Sequence, residues 1–184
     1  MRKSNAGFTL VELFFCVAVV SVLCVVSLPA LGGLLMDSQA RTSGNAIVTA
    51  LNLARITAAN RQDEIVVCPS SDQRHCDGDI WWQHGWIVFH DLDHNGTRSD
   101  DEPILAVAQA QTGMAIASTS GRLHITYRPD GSATGTNVTI TLCDRRGPAK
   151  ASAIVINNGG RPRQGKPTAE EAATVCAGLG QGGA

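Results

Sequence analysis

The residues whose types and spacing could do chemistry fall in a few short segments. Asp91-x-Asp93-x-Asn95-Gly96-x5-Glu102 places oxygen ligands at alternate positions and a carboxylate at the distal one. This is the pattern of a calcium loop, in which a glycine makes the sharp turn. The flanks read as strands, however, not as the paired helices of an EF-hand, and Asp and Asn favour turns on their own account. A hairpin turn is the preferred reading, with Asp91, Asp93, Asn95 and Glu102 kept as a secondary calcium candidate. His75, His84, His90, His94 and His124 show no metal-ligand spacing. No Ser or Cys sits in a nucleophile motif, so neither an enzyme site nor a cofactor is expected.

Chemistry of another kind lies near the C-terminus. Gly159-Gly160-Arg161-Pro162-Arg163-Gln164-Gly165-Lys166 sets three cations in a Gly/Pro-rich segment. Glycines allow close approach of a partner to the backbone, and Pro162 limits the conformations that binding must order. Arginine offers a forked donor set suited to phosphate oxygens. The net charge of -1 conceals how uneven the charges are. Ten of the 16 acids fall between positions 63 and 102, whereas 145–169 holds six cations and no acid. One locally basic surface follows, not a generally cation-rich protein. Arg145, Arg146 and Lys150 are supporting candidates for that surface.

Six cysteines divide by location. Cys16 and Cys24 lie in an apolar run and read as small packing residues. Cys68, Cys76, Cys143 and Cys176 lie in polar sequence, consistent with two disulfides made in an oxidising compartment. Three pairings are open. Cys68–Cys76, across a short polar loop, and Cys143–Cys176, tying the tail to a strand, are favoured. Zinc is the alternative, without the close Cys-x-x-Cys spacing it usually uses. Trp81, Trp82 and Trp86 could stack on bases. With Asp77 and Asp79 beside them, core packing is the better reading.

The elements that must position these groups begin with an anchor. Arg2 and Lys3 precede Gly7, and 8–28 is an apolar run broken by one charge, Glu12. A helix of that length spans roughly 30 Å, the hydrocarbon thickness of a bilayer. The leading cations stay cytoplasmic, so the remainder faces outward. A secretory signal would place its small-residue cleavage site after the apolar stretch, and here the glycine comes before it. Gly32 and Gly33 loosen the helix, and 36–59 resumes it, with Ile47, Leu51, Ala54 and Ala58 on one stripe. Strands are expected at 64–68, 123–127, 138–142 and 153–157, with turns at Pro129-Asp130-Gly131 and Asn158-Gly159-Gly160.

Gly7-Phe8-Thr9-Leu10-Val11-Glu12-Leu13 resembles the prepilin peptidase site of type IV pilins and type II secretion pseudopilins. The resemblance implies cleavage after Gly7, N-methylation of Phe8 and retention of the apolar helix for assembly. A carboxylate in a bilayer is costly unless paired. The family implies that Glu12 pairs with a neighbouring subunit's N-terminus, and that Pro29 is a helix-kinking proline. Leu53-Ala54-Arg55-Ile56-Thr57-Ala58-Ala59-Asn60-Arg61 resembles a helix end of the GspH/FimT family. Trp82-x-x-Gly85-Trp86-Ile87-Val88-Phe89-x-Asp91, with Asn95-Gly96 and Glu102-Pro103-Ile104-Leu105, is similar to its central hairpin. Gly160-Arg161-Pro162-Arg163 resembles the GRxR motif of the FimT members, minor pilins linked to DNA uptake in natural transformation.

The fold implied is α+β, a long N-terminal helix packed on two antiparallel sheets. The organisation expected is a leader at 1–7, a transmembrane and assembly helix at 8–35, and a globular domain at 36–184 with a basic loop at 157–176. The function implied is non-specific binding of extracellular DNA by a minor type IV pilin, through Gly160, Arg161, Arg163 and Lys166. A structural pseudopilin of H type is the alternative. Partners implied are DNA, other major and minor pilins, the prepilin peptidase and the inner membrane. The domain would be periplasmic, and extracellular once assembled.

Overall fold

Threonine before an apolar helical run is a capping residue, and Thr9 acts as one: its Oγ1 accepts the Glu12 N–H at 3.3 Å. Helix α1 (Leu10–Arg61) follows, 52 residues long. In this computed structural model residues 9–133, 135 and 137–180 are described, apart from the side chains of 25–31 and 180. Arg2, Lys3 and Gly7 of the expected leader, and Phe8 after the expected cut, therefore lie outside the described residues. The expected interruption near Gly32 and Gly33 does not occur, because α1 is continuous there and through Pro29. A glycine costs a helix about 1 kcal/mol and does not forbid it.

The chain forms two compact units, Met1–Gln39 and Ala40–Ala184. In the first, the side chains from Leu10 to Cys24 are exposed around the whole helix, Leu10, Phe14 and Phe15 among them. Glu12 is also exposed, in the first turn, where an acid complements the helix dipole. Cys16 and Cys24 form no disulfide. Among the described residues no helix is long and apolar enough to cross a membrane. The expected span at 8–35 includes Phe8 and the side chains of 25–31, which lie outside them.

In the second unit the stripe of Ile47, Leu51, Ala54 and Ala58 is fully buried. It packs between two four-stranded antiparallel sheets. Sheet A contains β1 (Ile65–Pro69), β2 (Trp86–His90), β3 (Ile104–Ala108) and β5 (Ile125–Tyr127), in the order β3-β2-β1-β5. Sheet B contains β4 (Met114–Ser118), β6 (Val138–Asp144), β7 (Ser152–Ile156) and β8 (Pro162–Gly165), in the order β4-β6-β7-β8. Strand alternation sends Ile65, Val67, Trp86 and Val88 of sheet A toward the helix, with Ile116, Ile140, Leu142 and Ile154 of sheet B.

Each outer face has its own cover, and a disulfide fastens it. Val66, Cys68, Ile87 and Phe89 form a small cluster outside sheet A, against which Cys76 packs. The Cys68–Cys76 bond closes the 69–75 loop there. Outside sheet B, Ala115, Ala117 and Cys143 meet Val175 of helix α2 (Ala169–Ala177), with Trp81 and Leu179 at the margin. The Cys143–Cys176 bond ties α2 to β6. Both favoured pairings are thus the ones the structure contains. Trp82 and Trp86 are buried, their rings tilted at 50° with centroids 6.4 Å apart, while Trp81 is half-buried.

Candidate functional site

The basic segment expected as a loop at 157–176 is more ordered than that. A turn closed by the Gly160 N–H donating to Asn157 O at 2.8 Å leads into β8, and α2 follows. Proline is tolerated here because β8 is an edge strand and Pro162 is its first residue. Register is fixed by Ile156↔Pro162, Val155↔Arg163, Ile154↔Gln164 and Ala153↔Gly165. Because Ile154 and Ile156 face the core, Pro162 and Gln164 share that side, and Arg163 stands on the opposite face with Val155. Thr168 then starts α2 with a full capping box, its Oγ1 accepting the Glu171 N–H at 3.2 Å while Glu171 Oε2 accepts the Thr168 N–H at 2.8 Å.

Gly160 is placed by packing. Its φ of +72° is in the left-handed region, and a β-carbon there would collide with Gly131 O, with Tyr127 Cε1 at 3.1 Å and Ala133 N at 3.2 Å. No other residue type fits. The glycine of the Gly160-Arg161-Pro162-Arg163 segment therefore seats the strand, and the arginines beyond it are left outward.

Arg161, Arg163 and Lys166 are exposed, and among the described residues their side chains have no hydrogen bond or ion pair. They run along one sheet edge for roughly 16 Å. Lys150 closes a 3-10 turn (Pro148–Lys150) ahead of β7, near the end of β8 that carries Lys166, and is exposed. Arg145 follows β6 in the β6–β7 connection that also holds Lys150, so it lies at the Lys166 end of sheet B, with about 20 Å of strand between it and Arg161. There Arg145 lines an open cleft of about 250 Å³ with Gln83, His84, Gln111 and Gly178.

Arg146 is committed within the fold. Its Nη2 lies 2.6 Å from Asp144 Oδ2, and its Nε donates to the same carboxylate at 3.0 and 3.1 Å. The guanidinium holds the Asp144 carboxyl below its ordinary range. Releasing Arg146 to a phosphate would strand the buried Asp144, a cost the other cations do not face.

Asp91, Asp93 and Glu102 do converge, with one oxygen of each within 4.8 Å of the others. The loop itself satisfies the two buried carboxylates. Asp91 accepts N–H groups of Asn95 at 3.2 Å and Gly96 at 2.9 Å, and Glu102 those of Leu92 at 2.7 Å and Ser99 at 2.8 Å. Burial, with a further push from Glu102, raises the Asp91 pKa although the Gly96 N–H opposes it. The segment is the β2–β3 connection of sheet A, an Asx-rich turn folded around its own acids.

Of the expected DNA-binding residues, the structure sets Gly160, Arg161, Arg163 and Lys166 along β8, with Lys150 and Arg145 in the β6–β7 connection at its Lys166 end, and commits Arg146 to Asp144. What the sequence did not signal is that the Tyr127–Ala133 turn would form the other side of the Gly160 contact.

The profile of a family described as type II transport protein GspH matches residues 43–160. Among solved structures, the type IV minor pilin FimU of Pseudomonas aeruginosa (strain PAO1) is similar in two crystal forms. The TM-scores are 0.57 and 0.55, at 17% and 18% identity, covering 77% and 76% of this chain and 97% and 98% of FimU. The minor pseudopilin EpsH from the Type 2 Secretion System of Vibrio cholerae gives a TM-score of 0.49 at 13% identity, covering 71% of this chain and 98% of EpsH. No curated protein matches the sequence.

Proposed function

The chain belongs to the GspH family of type II transport proteins, a family of minor pilins and pseudopilins, and from that premise we propose that it is a minor type IV pilin that binds DNA. The observation that carries this reading is the row of exposed, uncommitted cations along β8, Arg161, Arg163 and Lys166, with Lys150 near its end. An edge strand fixed by the Gly160 contact, and followed by a helix bonded to β6, presents those charges with little left to order on binding. Arginine forks meet phosphate oxygens irrespective of base sequence, so binding is electrostatic and sequence-indifferent. The same reading has the prepilin peptidase cut after Gly7 and Phe8 methylated. The apolar helix then anchors the chain in the inner membrane with its domain periplasmic, and Glu12 joins it to neighbouring pilins in the fibre.

A mobility-shift titration of the full-length chain in detergent, with unrelated DNA sequences and varied salt, tests this. Four phosphate contacts give a log–log salt slope of about -4 for duplex and about -3 for single strands. Arg161→Gln with Arg163→Gln weakens binding and flattens the slope by roughly two units. Lysine at both positions keeps more binding than glutamine and less than arginine, because charge remains and the fork is lost. Unchanged binding by the folded double glutamine variant rejects β8 as the site. Absent binding by the wild type at low salt favours a structural pseudopilin, the reading that the family's own description also suits.

A further inference from the structure

The contact that seats Gly160 also fixes a second basic segment beside Arg161. Asn158 O accepts the Ala133 N–H at 3.0 Å, and the Gly160 backbone lies against Gly131 O. The turn that presents these atoms is tightly closed: Gly131 N–H donates to Arg128 O at 2.8 Å, and Arg128 N–H donates to Ser132 O at 2.9 Å. Arg55 fastens it to α1 by donating its Nε to Gly131 O at 2.9 Å. Arg128 therefore has a fixed backbone position relative to Arg161 although they are far apart in sequence. One residue on one side and a closed four-residue turn on the other keep their α-carbons within about 16 Å. Alternation puts Arg128, next to core-facing Tyr127, outside sheet A and Arg163 outside sheet B, so a backbone laid along the edge where Gly160 meets the turn, with phosphates recurring at about 3.4 Å of rise, is what reaches both.

Arg128 is available to do so. Its side chain is 54% exposed, and its described ion pair is a long one, Nε to Glu64 Oε1 at 3.8 Å. Glu64 is half-buried, yet a pair at that distance with an exposed arginine is weak and yields to a competing phosphate. One feature of the turn opposes the anion: Asp130 is exposed beside Arg128, with Oδ1 accepting the Ser132 N–H at 2.8 Å.

Building on the DNA reading of β8, we propose that the phosphate-binding face continues across Gly160 onto the Arg128–Ser132 turn. Arg128 is a further phosphate contact, and the Asp130 carboxylate limits the affinity. The face is thus made of two chain segments clasped at a glycine.

The test is a set of salt titrations with a labelled duplex and the full-length chain in detergent, with Arg161→Gln/Arg163→Gln as reference. Arg128→Gln is expected to weaken binding several-fold at low salt and to flatten the slope by about one unit. Arg128→Lys should restore most of both. Asp130→Asn should move affinity the other way, tightening binding several-fold, which loss of folding could not imitate. If Arg128→Gln and Asp130→Asn both bind as wild type while the reference variant has lost binding, the extension is overturned and β8 alone is the site. If the wild type itself does not bind, the underlying reading fails and this inference with it. Should Arg128→Gln fold poorly, Asp130→Asn and Arg128→Lys decide the matter, and an Asp130→Asn variant that does not tighten binding overturns the proposal.

Discussion

Removing the bond between Cys143 and Cys176 should cost more stability than removing the bond between Cys68 and Cys76, by an amount set by their loops. The bonds close sequence separations of 33 and 8. The loop-entropy relation gives about 3.7 kcal/mol for the first and about 2.5 kcal/mol for the second. The globular unit, Ala40–Ala184, has an unfolding entropy of about 0.3 kcal/mol/K at roughly 2.1 cal/mol/K per residue. The double alanine variants should therefore melt about 12 °C and about 8 °C below wild type. Alanine is the suitable replacement because Cys143 is buried beside Ala115, Ala117 and Val175, where a serine hydroxyl would add its own penalty. Tryptophan fluorescence is the suitable probe, since Trp81, Trp82 and Trp86 all lie in the globular unit. Equal drops for the two variants, or a larger one for Cys68–Cys76, would refute the loop-entropy reasoning. A drop of under about 3 °C for the tail variant would mean that packing alone holds α2.

Gly160→Ala should destabilise by about 2–4 kcal/mol, combining the left-handed backbone with a collision against Gly131 and Tyr127. Chemical denaturation measures it, and a loss below about 1 kcal/mol would show that the contact yields easily. Arg161→Gln, exposed and uncommitted, should leave the same midpoint unchanged. The Asp144–Arg146 pair predicts a pH dependence. Arg146 depresses the Asp144 pKa, so the pair's stability is fully present above the unfolded value, about pH 4, and is lost as pH falls through the folded value. The stability gap between wild type and Arg146→Gln should therefore be widest near neutrality and narrow below about pH 4. A gap as wide near pH 2 as near pH 7 would contradict that assignment.

Much of the fold was legible where periodicity or the family resemblance marked it. Ile47, Leu51, Ala54 and Ala58 recur at helical spacing and form the buried stripe, and the segment from Trp86 to Phe89, expected in a hairpin through the resemblance, lies in strand β2 and is covered on both faces. β4 was not legible. Met114-Ala115-Ile116-Ala117-Ser118 has one β-branched residue, and its alanines are small because α2 and the Cys143–Cys176 bond lie close above them. β8 was hidden by Pro162 and Gly165, which signal a loop locally and are acceptable only at a sheet edge. α2 did carry a signal, the Thr168-x-x-Glu171 capping box. Of the basic surface, the segment around Arg161 and Arg163 was visible in sequence. Arg146 is spent on Asp144 only two residues away, a local contact made by the turn after β6, whereas the meeting of Gly160 with the turn at Gly131 is a tertiary fact that no local pattern encodes.

The position of β8 has a consequence for polymerisation. It ends sheet B, so its outward main-chain groups are where a foreign strand would add and extend the sheet into an aggregate. Pro162 has no N–H to donate along that edge, and a second copy laid antiparallel would bring Arg161, Arg163 and Lys166 against like charges. A pilin works among crowded relatives at high local concentration, where uncontrolled cross-β growth would be ruinous. The cations and the proline act as gatekeepers, so copies can crowd together without zipping edge to edge. On the DNA reading, the charges that turn another strand away would be the ones that meet an anionic polymer.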